Sequence, residues 1–158
     1  MPTCKAYPSA QAFVTPTDNR THCYWLHLPK QTWGAARTQC QSENGDLVTI
    51  LSQSENDFVL GIGRFTNSPP ELWIGATDSK GGSDRTGPGI YHWISNEAWG
   101  YSNWNQTPPA QPDGFCDPCS GGQTCTCDHR AVLAMDGTWF DFWQDNARGY
   151  VCEATPPQ

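Results

Sequence analysis

From residue 95 to residue 127 the chain carries neither the two-residue period of a strand nor the 3.6-residue period of a helix. A patternless run of that length inside a compact domain is as a rule functional, and the regular elements must form on either side of it. The run contains Gln111-Pro112-Asp113, two oxygen-bearing side chains separated by a proline. Side-chain oxygens pointed the same way suit a hard cation such as Ca²⁺, which takes about six to eight oxygen ligands. Proline fixes its own φ, and in a cis bond it makes a tight turn.

The 158 residues are one ordinary domain, long enough to bury roughly two-thirds of the unfolded surface. Only 16% of residues are charged, while Gly 15 and Pro 13 mark many turns, so a loop-rich, β-containing fold is expected over a helical bundle. A net charge of −7 with no basic stripe excludes a phosphate-binding surface, and no nucleic-acid partner is expected. The acidity agrees with cation binding, though solubility explains it equally well. Eight cysteines, an even number, point to disulfides and a secreted, extracellular protein; a cytosolic metal protein is the competing reading. Met1-Pro2-Thr3 opens without a basic or apolar leader, so no signal peptide is expected. Met1 then reads as an expression start on a mature secreted domain or as a non-classical export route. No apolar run approaches the ~20 residues of a membrane span.

Residues 1–31 read as an N-terminal extension and hairpin, with Cys4 and Cys23 placed to close it and a turn at Thr17-Asp18-Asn19. Thr32 is a helix N-cap followed by Trp33, Ala36 and Cys40 on one face, ending near Asn44-Gly45. Leu47-Val48-Thr49-Ile50-Leu51 predicts a short buried strand. A second helix is expected from Ser52 to about Leu60, with Ser52 and Glu55 as a capping box and with Gly61, Gly63 and Pro69-Pro70 closing that half. Leu72-Trp73-Ile74-Gly75 and the alternating Ile90-Tyr91-His92-Trp93-Ile94 predict strands on either side of a polar loop. Ala131-Val132-Leu133-Ala134 and Gly149-Tyr150-Val151-Cys152-Glu153 predict closing strands, with a hairpin turn at Asp136-Gly137. There is no internal repeat, and residues 155–158 form a frayed tail.

This order of parts resembles the C-type lectin-like domain. The residues that carry it are Cys23-Tyr24, Trp33, Ala36, Cys40, Trp73-Ile74-Gly75 and Trp93, then Tyr101-x-Asn103-Trp104, Gln111-Pro112-Asp113, Trp139-Phe140-Asp141 and Tyr150-Val151-Cys152-Glu153. The likeness covers about residues 20 to 154. It implies an α+β fold, with two helices, small antiparallel sheets and a long calcium- and sugar-binding loop, stapled by disulfides. Residues 32–154 would be the carbohydrate-recognition domain within a single domain overall, and Cys40 would pair with Cys152. Trp33, Trp73, Trp93 and Trp104 would lie in or near the core.

The resemblance also implies a site. In sugar-binding members one Ca²⁺ bonds two vicinal hydroxyls, and the metal's own ligands hydrogen-bond those hydroxyls. Carried over, Gln111, Asp113, Asp128 and Asp141 would hold the metal and the sugar, with acid expected to release both. Two departures stand out: Phe140 occupies a position where the family usually has Asn, and Arg130 and Gln144 stand where an inner cysteine pair would fall. Asp117, Asp145 or a water would then complete the shell. The Gln-Pro-Asp form goes with galactose and N-acetylgalactosamine, because the order of amide and carboxylate sets the donor and acceptor pattern offered to the hydroxyls. Phe115, two residues on, would stack on the apolar face of galactose, with Trp99 and Trp143 as alternatives and a loop anchor under Cys116 as the competing role.

Cys116, Cys119, Cys125 and Cys127 allow three pairings if oxidised; two disulfides stiffening the loop are expected, with a four-thiolate zinc knot as the alternative. His22, His27, His92 and His129 lack metal-ligand spacing. His129 could touch the sugar but reads as a surface histidine, and Asp78 as a remnant of a second calcium site, with Gly82 standing where that site commonly has an acid. Asn19 and Asn105 head glycosylation sequons. No nucleophile pattern is present, so no enzyme activity is expected. The expectation is therefore a calcium-dependent lectin for terminal galactose or N-acetylgalactosamine on glycans, acting as a homo-oligomer because single sugar sites are weak. The rival is a lectin-like domain that binds a protein or another non-sugar ligand.

Overall fold

The computed structural model describes residues 4–7, 9–64, 71–78, 89–116 and 127–157. After a 3₁₀ turn at Cys4–Ala6, strands β1 (Gln11–Val14) and β2 (Thr21–Gln31) form the expected hairpin, closed by the Cys4–Cys23 disulfide. Then follow α1 (Trp33–Ser42), β3 (Asp46–Leu47), α2 (Gln53–Arg64), β4 (Leu72–Thr77), β5 (His92–Trp93), β6 (Arg130–Leu133), β7 (Trp139–Phe142) and β8 (Arg148–Ala154). Rather than several small sheets, these strands join one sheet in the order β1-β2-β8-β4-β6-β7, with β3 on β8 and β5 on β4. The β4–β8 pair is parallel and the others are antiparallel.

The two-residue period of the strands sorts their side chains onto two faces. Leu72, Ile74, Ala76, Ala131, Leu133, Trp139 and Val151 pack with Val59, Leu60 and Ile62 of α2 in one core cluster. Trp73, Val132, Tyr150 and Cys152 face the other way, against Trp33, Ala36 and Cys40 of α1. The Cys40–Cys152 disulfide fastens α1 to β8 across 112 residues of sequence, as the resemblance implied. Closing so long a loop in the unfolded chain stabilises the fold by about 4–5 kcal/mol in the loop-entropy estimate.

Local signals set the helix ends. The Thr32 hydroxyl accepts the Ala35 N–H at 3.3 Å, and Asn44 rather than Gly45 takes the left-handed position (φ 62°) after α1. Ser52 caps α2 by accepting the Glu55 N–H at 3.2 Å, but only half of the expected box forms. The Glu55 carboxylate instead accepts the Leu51 N–H at 2.8 Å and the Tyr24 hydroxyl at 2.6 Å. Nor does α2 stop near Leu60. It runs through Gly61 and Gly63, and a Cβ on Gly63 would lie 2.8 Å from Leu72 Cδ1, so glycine here serves close packing rather than termination.

Two predicted strands are shorter than expected. Only Asp46–Leu47 pairs as a strand; beyond it, Val48 N–H bonds the Val151 carbonyl at 3.0 Å and Thr49 N–H bonds the Glu153 carboxylate at 2.9 Å. The segment stays buried because a side chain takes over from the ladder. In the second case Tyr91 and Trp93 are buried as their alternation requires, but Ile90 is 90% exposed and only His92–Trp93 pairs with β4.

Candidate functional site

The long loop leaves β5 and runs back along β7. Trp139 N–H donates to the Asn103 carbonyl at 2.8 Å, and Asn105 N–H donates to the Trp139 carbonyl at 3.0 Å. Trp139 itself is fully buried, and its indole N–H donates to Asn56 at 2.8 Å. Asn105 uses its side-chain amide inside the loop, donating to Thr138 at 3.0 Å and accepting the Thr107 N–H at 2.9 Å. Gln111 N–H then bonds the Asn105 carbonyl at 2.8 Å, and the Gln111–Pro112 peptide is cis.

Three of the four predicted ligands interlock at this turn. Gln111 Nε2 donates to Asp113 Oδ2 at 3.0 Å, while Gln111 Oε1 accepts the Asp141 N–H at 3.3 Å. Asp141 in turn accepts the N–H groups of Asp113 and Gly114, at 3.1 and 2.8 Å. Burial, with Asp141 2% exposed, pushes its carboxyl up to about 6 against those two hydrogen bonds, and the nearby Asp113 charge adds to the rise. An amide oxygen and two carboxylates form an all-oxygen donor set, the kind a hard cation takes.

Asp128 reaches the same region by a different route. The Cys116–Cys127 disulfide joins the two sides of the loop, and just beyond it Asp128 N–H donates to the Phe115 carbonyl at 2.9 Å. That bridge also removes two thiols from the four-thiolate zinc alternative. Cys119, Cys125, Asp117 and Gly82 lie outside the described residues. The carboxylates of Asp113, Asp128 and Asp141 are not drawn into one cluster. Among the described residues, the trio whose ligating atoms all lie within 4.8 Å is His27, Glu43 and Cys152, and Cys152 is spent in a disulfide.

Phe115 is 55% exposed, so its ring is not an anchor beneath the cysteine bridge. Its N–H donates to Asp113 Oδ1 at 2.9 Å, which sets it directly beside the interlocked turn. Trp99 instead packs against Trp93 at 4.9 Å in the core. Phe140 packs beside Phe142 on the α1 side of the sheet, whereas its neighbours Trp139 and Asp141 point to the opposite side by strand alternation. The Arg130 guanidinium, where an inner cysteine was absent, lies 4.9 Å from the centre of the Trp33 ring.

His129 is not on the surface. It is fully buried and pairs with Asp78 at 2.8 Å, so the Asp78 side chain is also committed. Tyr91 was missed by sequence reasoning. It is buried, and the charges of Asp141, Asp78 and Asp128 reinforce burial in raising its phenol far above the usual range. The alternation in residues 90–94 marked Tyr91 as buried, but nothing in the sequence placed it among those carboxylates.

The sequence model of the family described as Lectin C-type domain matches residues 29–154. Bovine (Bos taurus) lithostathine is 36% identical over 121 residues, covering 73% of this chain and 69% of that protein. Mouse (Mus musculus) asialoglycoprotein receptor 2 is 32% identical over 133 residues, covering 83% of this chain but 38% of the receptor. The chain thus spans about two-fifths of the receptor's length. Among solved structures, the cow carbohydrate-recognition domain of CD23, determined in the presence of a GlcNAc2Man3 oligosaccharide, superposes with a TM-score of 0.73 over all of both chains. At 24% identity that likeness shows the fold alone.

Proposed function

The chain belongs to the lectin C-type domain family, and from that premise we propose that it is a calcium-dependent lectin for terminal galactose or N-acetylgalactosamine. The observation that carries this reading is the mutual hydrogen bonding of Gln111, Asp113 and Asp141 beside an exposed Phe115. Gln111, Asp113 and Asp141 would hold the ion, with Asp128 supplied from the far side of the Cys116–Cys127 bridge. The ion would polarise two sugar hydroxyls, and the amide and carboxylates would complete their hydrogen bonding. Phe115 offers its ring to the apolar face of the sugar, as its exposure allows. The name of the mouse receptor, which specifies asialoglycoproteins, points in the same direction.

Disulfides at Cys4–Cys23, Cys40–Cys152 and Cys116–Cys127 support an extracellular setting. No helix among the described residues is long and apolar enough to cross a membrane. Useful avidity requires several copies, so a homo-oligomer displaying several sites is part of the proposal.

The test is retention on galactose-agarose in calcium, with elution by EDTA. Absence of retention at every calcium concentration overturns the lectin reading. It would favour the rival, a lectin-like domain for a protein or other non-sugar ligand, which draws its support from Phe140, whose side chain packs on the α1 side of the sheet and brings no oxygen to the site.

A further inference from the structure

We infer that Asp78 and His129 form a buried clamp that holds the Asp128 end of the long loop in place before any cation arrives. They are positioning residues for the proposed calcium site, and the inference deepens that reading. His129 Nδ1 donates to Asp78 Oδ2 at 2.8 Å, with the two side chains 1% and 0% exposed. The same Asp78 oxygen accepts the Gly89 N–H at 2.8 Å. One carboxylate oxygen therefore holds both Gly89 and His129.

The His129 backbone is fixed as well. Its N–H bonds the Phe142 carbonyl at 3.2 Å at the end of β7, and its carbonyl accepts the Thr77 hydroxyl at 3.3 Å and the Arg130 guanidinium at 2.9 Å. With the side chain and both backbone groups held, the adjacent Asp128 keeps little freedom, and its own N–H is bonded to Phe115. A polar pair this deeply buried costs desolvation that a pair of apolar side chains would not. What the pair supplies in return is direction: apolar packing would not fix the backbone of Asp128 against Phe115, beside the Gln111–Asp113 turn.

The experiment compares the whole chain with His129→Ala, His129→Gln and Asp78→Asn, using Val59→Ala as a distant core control. Amide hydrogen exchange at Phe115 and Asp128 is measured in EDTA, and calcium affinity by calorimetric titration. In EDTA, His129→Ala is expected to speed exchange at Asp128 about tenfold, as a local opening replaces the clamp, and Asp78→Asn, which keeps one acceptor oxygen but loses the charge, by a smaller factor. Calcium affinity is expected to fall about tenfold, the loss usual when a group orienting a ligand is removed. His129→Gln, which keeps a side-chain N–H, is expected to recover part of both. Val59→Ala is expected to lower the melting temperature without changing either. Unchanged exchange at Asp128 in the clamp variants overturns the inference, as does an equal change in Val59→Ala. If His129→Ala does not fold, His129→Gln and Asp78→Asn decide the matter. A wild-type chain that binds no calcium overturns the calcium reading instead, and exchange in EDTA still decides the clamp.

Discussion

The Asp141 carboxylate accepts the backbone N–H of Gly114 at 2.8 Å, so the group proposed to bind calcium also fastens the loop to β7. These two duties separate by mutation. Asp141→Ala leaves the Gly114 and Asp113 N–H groups without their acceptor, at a cost of about 1–3 kcal/mol for each donor left unpaired. Asp141→Asn keeps one side-chain oxygen as an acceptor but removes the charge. The expected result is a clear drop in urea midpoint for Asp141→Ala, a smaller one for Asp141→Asn, and loss of calcium binding in both. Full calcium affinity in Asp141→Asn would remove Asp141 from the ligand set.

Gln111 and Asp113 are expected to set sugar preference. The double variant Gln111→Glu with Asp113→Asn exchanges the positions of amide and carboxylate, and is expected to turn galactose preference toward mannose-type sugars. Competition on immobilised galactose and mannose reads the change. Loss of binding to both sugars would mean that the surrounding loop, rather than the pair, sets the preference.

Phe115 has little packing to lose, because more than half of its surface is exposed. Phe115→Ala is therefore expected to leave the unfolding free energy within about half a kcal/mol of wild type, as for surface positions generally. Galactose affinity is expected to fall about two- to tenfold, the loss of one stacking contact of about 0.5–1.5 kcal/mol. A shift in stability without a shift in affinity contradicts the stacking role.

His22 links pH to stability. Burial opposes its charge, but hydrogen bonds to Glu153 and Asp18 outweigh burial and raise its pKa from 6.5 to about 9. Stability from a raised histidine is fully present below the unfolded value of 6.5 and is lost as pH rises through about 9. Burial, then the Glu153 charge, raises Glu55 to about 7, so Glu55 loses its own contribution between 4.5 and 7. Burial raises Glu153, the partner of His22, as well, so the interval from pH 7 to 9 reports the His22–Glu153 pair. Urea midpoints are expected to fall across it in wild type and to flatten in His22→Gln; a flat wild-type profile contradicts the pairing.

Gly75 in β4 is fixed by space. A Cβ there would sit 2.8 Å from the Leu47 carbonyl oxygen and 3.0 Å from Ile94 Cγ1. Backbone cannot retreat as a flexible side chain can, so Gly75→Ala is expected to destabilise by about 1–3 kcal/mol, the usual cost of overpacking. An unchanged denaturation midpoint would show that β3 and β4 separate easily.

Sequence pattern alone located the regular elements, because two-residue alternation and helix caps are local properties. It marked Trp73, Trp93, Trp139 and Cys152 through short words whose spacing survives in a single chain. The resemblance to the C-type lectin-like domain, rather than any local pattern, singled out Gln111, Asp113 and Asp141 together, and these do meet through hydrogen bonds. What the sequence could not determine were relations fixed by contacts between distant segments. The joining of all the strands into one sheet depends on the parallel β4–β8 pair, formed by residues 72–73 and 149–150, which no local signal connects. The pairing of Cys116 with Cys127 was one of three possibilities on composition alone. Phe140 looked like a ligand position filled by the wrong residue, yet strand alternation at β7 turns it away from Asp141 altogether. His129 read as a surface residue because its acid partner, Asp78, lies fifty-one residues earlier, and only the fold buries the two together.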